Sequence, residues 1–281
     1  MARSVHLRWI VPVAILMLFI GCSSDSGTDT TIKQGNPNDA DFLAVRAEVN
    51  EVLDSLVDRT FNPLTNPWGF PLDTMTLPFD LGPFHPGDAV EYGYENGWYS
   101  LLLGSFATSI NSMVVDSVMF LLGDNPSSSY NIHTTGIHVK SHITITYDGQ
   151  ETDYTEQTYF GDIRYTDVEK ASALVDADIT WEIEDYYTVG TVQTNDNFDI
   201  TVTIDELQYD RSSGFVWVDN IPSDGTFDLT VTVTTQVTDG SETTTATRDW
   251  SFDVTFSSGG SAAVEVISNN TRWTYSDNFG S

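Results

Sequence analysis

The chain has one cysteine, Cys22, in 281 residues, so no disulfide can form within it. Its stability must come from core burial. Positive charge is also scarce. Lys and Arg number 11 against 41 Asp and Glu, a formal net charge of −30. Such a surface is repelled by nucleic acid and by anionic lipid, which argues against nucleic-acid binding. Histidine is rare too: His6, His85, His133, His138 and His142. His138 and His142 should share a strand face, but four residues span roughly 13 Å, too far for one metal ion without help from another strand. Exposed strand histidines beside Lys140 are the simpler reading.

The catalytic motifs are missing. There is no Gly-x-Ser-x-Gly elbow, no His-Glu-x-x-His and no phosphate-binding glycine loop. No apolar run reaches the roughly 20 residues of a membrane-spanning helix. The expectation is a protein that is not an enzyme and carries no cofactor.

What is present begins with the N-terminus. Arg3 and Arg8 precede a short apolar run that ends at Gly21-Cys22, and a Ser/Asp/Gly/Thr linker follows. A basic start, an apolar core and small residues at the cut define a secretory signal. Residues 1–22 resemble a bacterial lipoprotein precursor, with Gly21-Cys22 matching the end of its lipobox. Phe19 stands where that pattern has Leu, and Ile20 where it has a small residue. The resemblance implies cleavage after Gly21, removal of residues 1–21 and diacylation of Cys22. Two or three acyl chains give stable anchoring where one would not. Ser23 after the cysteine implies sorting to an outer membrane. Loss of Arg3 and Arg8 leaves 9 basic against 41 acidic residues, a net charge of −32.

Residues 22–38 read as a lipidated flexible tether. Its polar part spans roughly 20–25 Å, beyond a Debye length of about 8 Å, which keeps the acidic domain clear of the bilayer. Residues 39–60 read as an amphipathic helix with Asn38 as N-cap. Phe42, Val45, Val49, Val52 and Leu56 form its apolar stripe, Glu48 flanks it, and Glu51, Asp54 and Asp58 lie opposite. Residues 61–88 carry Pro63, Pro67, Pro71, Pro78, Pro83 and Pro86 among aromatics, and read as an ordered strap without regular helix or central strand.

Residues 89–281 alternate in strand fashion. The fold expected is mainly β: a large antiparallel meander of about ten to twelve strands, curved like a barrel or folded as a sandwich, with one N-terminal helix. Asn96-Gly97 predicts a type I′ hairpin. Val114–Leu122 reads as a strand buried on both faces. Asp148-Gly149 as a two-residue loop would pair Ile143 with Tyr154 and Ile137 with Phe160. Asp239-Gly240 would pair Leu229 with Trp250 and Phe227 with Phe252. Val175, Ala177, Ile179, Trp181 and Ile183 form one apolar row, and Phe198, Ile200, Val202 and Ile204 another. Similar Asp-Asn and Asp-Gly-x-Glu-Thr segments, with Trp181 and Trp273 at 33 and 34 residues after Asp148 and Asp239, suggest that 114–185 and 210–277 are related units.

Asp176, Asp178, Glu182 and Glu184 share one polar strand face, with Asp199 and Asp205 on the next. Such rows suit Ca²⁺ weakly. Solvated faces that keep sheets unpaired explain them as well and are favoured. Two functions remain. The first is a membrane-anchored envelope lipoprotein with a structural or interaction role, bound to envelope protein or polymer. The second is a hydrophobic-ligand or lipid carrier that uses the concave face of the sheet.

Overall fold

The computed structural model describes residues 32–65, 89–106, 110–128, 130–148, 153–212, 217, 220–258 and 261–279. Gly21, Cys22 and the strap beyond residue 65 lie outside them. The described residues form one open, mainly antiparallel sheet of thirteen strands and one helix. In chain order they are β1 (Lys33–Gln34), α1 (Ala40–Thr65), β2 (Ala89–Glu95), β3 (Trp98–Phe106), β4 (Ile110–Leu122), β5 (Asn125–Ser127), β6 (Gly136–Asp148), β7 (Asp153–Thr166), β8 (Ser172–Val189), β9 (Val192–Asp210), β10 (Asp224–Asp239), β11 (Glu242–Ser257), β12 (Ser261–Ser268) and β13 (Thr271–Asn278). Neighbours in sequence are neighbours in space almost throughout, β1 alone pairing in parallel, with β13. The mainly β meander with an N-terminal helix is therefore borne out. The sheet is neither closed into a barrel nor split into a sandwich.

Helix α1 is longer than its periodic stripe suggested. Asp39 is the N-cap, its Oδ1 accepting the Phe42 N–H at 3.0 Å, while Asn38 donates its own N–H to Asn36. The helix runs past residue 60 through Pro63 to Thr65, so the first five residues of the expected strap are helical. All five stripe residues are buried, joined by Leu53, Val57, Phe61 and Leu64. Each such side chain contributes about 1.5–3 kcal/mol on leaving water. The buried face lies across one side of the sheet. Phe42 stacks on Trp273 of β13 at 5.1 Å, and Phe61 packs on Tyr209 of β9 at 5.3 Å. Thr60 shares a 2.7 Å hydrogen bond with the Tyr209 hydroxyl. At the helix start, Arg248 holds Asp41 at 2.7 Å.

The turns test the sequence reading position by position. Asn96 (φ 53°) and Gly97 (φ 87°) form a two-residue loop between Glu95 and Trp98, the type I′ hairpin expected. The loop between β10 and β11 is Gly240-Ser241, so Leu229 faces Phe252 and Phe227 faces Val254. That register differs by two from the expected one and leaves the same residues inside. Between β6 and β7 the correction is larger. Ile143 faces Tyr159 and Ile137 faces Tyr165, a shift of five, so every β7 side chain changes face. The cause is charge. A row with Phe160 inside would also bury Glu156, Asp162 and Arg164, whereas the observed inner row is Tyr159, Ile163 and Tyr165. Strand β4 is buried on one face only: Val114, Val118 and Phe120 are enclosed, while on the other face Met113 is exposed and Val115, Ser117 and Met119 are half-buried. The rows on β8 and β9 stand as read. Trp181 lies one strand beyond the β6–β7 hairpin but Trp273 lies two beyond the β10–β11 hairpin, so the two tryptophans do not occupy equivalent strands.

A bulge bends the middle of the sheet. Glu206, with φ 48°, interrupts the β8–β9 ladder, and its N–H donates to Asp176 Oδ1 at 3.0 Å. Gly225 on β10 sits against it at φ 109°, where an added Cβ would lie 2.5 Å from the Leu207 Cα. Gly225→Ala is therefore expected to cost at least about 1–3 kcal/mol of backbone strain, read as a lower urea midpoint at unchanged slope.

Candidate functional site

The sheet has two unlike faces. The face under α1 is filled. Trp181, Trp217, Trp250 and Phe252 are all buried in one continuous core with the helix. At its polar centre, Arg59 of the helix lies over the rings of Tyr159 and Trp181, at 4.6 and 5.3 Å. Asp116 of β4 is enclosed nearby, and burial pushes its carboxyl up to about 6 against the Ser141 hydrogen bond and the Arg59 charge. Burial, then the charges of Glu51, Asp185 and Asp196, pushes Glu48 up to about 7. These groups belong to the seam between helix and sheet.

The opposite, outer face carries a trough of about 440 Å³ across β4, β6, β7, β8 and β9. Two cross-strand rows build it. One runs Val115, His142, Phe160, Thr180, Thr201; the other runs Ser117, Lys140, Asp162, Asp178. These side chains point outward because β6 and β7 turn Ile143, Tyr159 and Ile163 inward. Phe160 stays 46% exposed, and His142 stacks on one of its faces at 4.1 Å and 16°. Thr180 is the cross-strand neighbour of Phe160 on the side away from His142.

Asp162 organises the second row. It meets His138 Nε2 at 2.7 Å, Arg164 Nε at 3.3 Å and Lys140 Nζ at 3.8 Å. Partial burial opposes its charge, but the His138 hydrogen bond and the charges of His138, Arg164 and Lys140 outweigh it and hold the carboxyl below its ordinary value. One carboxylate thus answers three basic groups, in a chain that is otherwise strongly acidic. Trp98 closes this end, packed on His138 at 4.8 Å with Lys140 Nζ 5.3 Å from its ring. Every group stands on a central strand, so the strand ladders fix the positions.

The residues singled out from the sequence divide clearly. His138 and His142 do share the outer face, but one bonds Asp162 and the other stacks on Phe160. Of the acidic rows, Asp178 lines the trough, Asp176 holds the bulge, and Glu184 accepts from Asn195 at 2.8 Å. Glu182, Asp199 and Asp205 are exposed. Among the described residues no three His, Cys, Asp or Glu side chains are grouped to hold a metal ion. Phe160, Asp162 and Trp98 were not foreseen. Their signal was the charged row Glu156, Asp162, Arg164, which shares its face with Phe160.

No protein-family model matches the chain, no curated protein matches it, and no solved structure matches the fold.

Proposed function

We propose that this is a lipid-anchored envelope protein that recognises an envelope component through the outer face of its sheet. The anchor rests on the basic start, the apolar run and Gly21-Cys22, with Cys22 as the acylated residue and an outer membrane as the destination. No helix among the described residues is long and apolar enough to cross a membrane. The recognition reading is carried by one observation: the helix and the aromatic core fill the inner face, while the trough opens on the outer one. A lipid carrier needs an apolar cavity of several hundred Å³. The inner face offers packed Leu53, Leu56, Phe227 and Phe252 in its place. The role needs no bond-breaking chemistry.

One experiment tests both halves. Cys22→Ser protein is expected in the soluble fraction, folded, and free of bound lipid by mass spectrometry. Retention in the membrane pellet after a carbonate wash overturns the anchor. One lipid molecule per soluble chain overturns the outer-face reading in favour of the carrier.

A further inference from the structure

We propose that the outer-face trough is a binding site for a neutral glycan; this rests on the outer-face reading above and names its ligand. A pyranose ring presents an apolar face of C–H groups and a rim of hydroxyls. A complementary site needs an exposed aromatic wall, short side chains beside it, and a line of mixed donors and acceptors along the edge. The trough has all three.

Phe160 is the wall. An exposed Phe on a solvated strand is unremarkable when isolated, but this ring stands in the middle of a concavity. His142 takes one of its faces and props the ring upright. Beyond the ring the row continues with Thr180 and Thr201, short exposed side chains that line the trough and offer hydroxyls. The ring's negative face suits the weakly positive C–H face of a sugar. Ser117, Lys140, Asp162 and Asp178 follow on successive strands as the polar edge. Lys140 donates, the two carboxylates accept, and Ser117 does both. The volume of about 440 Å³ lies in the range of small-molecule sites. The longer row crosses five strands, about 19 Å at the usual strand spacing, so the ligand can be a chain of rings rather than a single one.

Charge decides which glycan. His138, Lys140 and Arg164 gather on Asp162 and cancel its charge locally. The rest of the chain keeps a large negative field that repels polyanions. Neutral sugars pass that filter. A peptide added as a strand does not fit, because the trough lies in mid-sheet, where the ladders already use the backbone groups. The platform is made of side chains on fixed strands, so binding needs no rearrangement.

The test is titration calorimetry of the full-length protein in a detergent without a sugar headgroup. The probes are hexasaccharides of glucose, mannose, xylose and N-acetylglucosamine, with polygalacturonate as the anionic comparison. At least one neutral hexasaccharide is expected to bind at millimolar concentration or better. Phe160→Ser and Phe160→Leu should each weaken it about tenfold or more, Phe160→Tyr should retain it, and Glu182→Gln outside the trough should leave it unchanged. Both Phe160 losses occur at an exposed site, so the melting temperature should hold. No binding of any neutral probe, or a preference for polygalacturonate, overturns the glycan assignment. A parallel arm measures sedimentation of Cys22→Ser protein with isolated envelopes. If glycans fail but Phe160→Ser abolishes envelope binding, the ligand is wrong and the outer-face reading stands. If envelope binding ignores Phe160→Ser, the outer-face reading falls and the glycan assignment falls with it.

Discussion

Acidification from about pH 8 to about pH 5 is expected to raise the melting temperature, by roughly 5–15 °C. Two carboxyls at the seam between helix and sheet carry most of the effect, and Asp185 and Asp253, also raised by burial first, add to it. Glu48 is pushed from 4.5 to about 7, by burial first and then by Glu51, Asp185 and Asp196. Asp116 is pushed from 3.8 to about 6 by burial, against Ser141 and Arg59. A folded-state value above the unfolded one means that the fold prefers the protonated acid. The stabilisation is complete below the unfolded value and is lost as pH rises through the folded one. For Asp116 that window is about pH 4–6, and for Glu48 about pH 4.5–7. At 1.36 kcal/mol per unit, each contributes up to about 3 kcal/mol, less for Glu48 because part of it meets solvent. Two other carboxyls run the opposite way. Asp162, against its burial, is lowered by His138, Arg164 and Lys140. Asp210 is lowered by Ser172 first, then by Gln208 and Ser223, against burial. Their stabilisation is lost only below the ordinary carboxylate range, outside the window. Calorimetric melts of wild type and Glu48→Gln check this. The variant should be more stable at pH 8 and should show a shallower slope between pH 5 and 7. A wild-type melting temperature that rises toward pH 8 would contradict the assignment.

The same buried seam shows how far the sequence can be read. Period 3.6 from Phe42 to Leu56 located the helix, because spacing alone decides which side chains can share a stripe. Period 2 located β8 and β9, with Val175 to Ile183 and Ile200 to Ile204 buried as their alternation required. Asn96-Gly97 fixed its hairpin, since few residue pairs accept two positive φ angles. Asp148-Gly149 misled for the same reason that it attracted attention. Turn chemistry proposes a register, but burial of charge vetoes it, and Asp162 and Arg164 on β7 could not be enclosed. The site suffered most from that error. Placing Phe160 inward hides the one exposed ring that makes the trough. The seam was harder still. Nothing local marks Asp116 as buried, because it sits in an apolar run whose other face is partly wet. Its partner Arg59 lies 57 positions away, on an element that only the folded chain brings over β4.

Arg59→Ala is expected to cost about 3 kcal/mol at pH 7.5, the low end for leaving a buried charge uncompensated. Burial pulls the Arg59 pKa down, and the neighbouring Tyr159 and Asp116 pull it back. The guanidinium donates from Nε to Ser55 at 3.1 Å and lies on the rings of Tyr159 and Trp181. Alanine removes that packing and leaves the Asp116 charge enclosed without its nearest cation. Two comparisons separate packing from charge. Arg59→Met restores most of the volume, so the part of the loss that it recovers is packing. Asp116→Asn removes the stranded charge, so Arg59→Ala should cost less in that background, with a coupling of about 1–3 kcal/mol in the double-mutant cycle. Acid should act as that second mutation does. Below about pH 5 Asp116 is protonated in the folded state, and the penalty of Arg59→Ala should shrink toward its packing component. Chemical unfolding of wild type, Arg59→Ala, Arg59→Met, Asp116→Asn and the Arg59→Ala/Asp116→Asn double variant at pH 5 and 7.5 measures all of these quantities. Equal penalties at both pH values, with additive mutations, would mean that Arg59 serves the helix only as a long side chain lying on two aromatic rings.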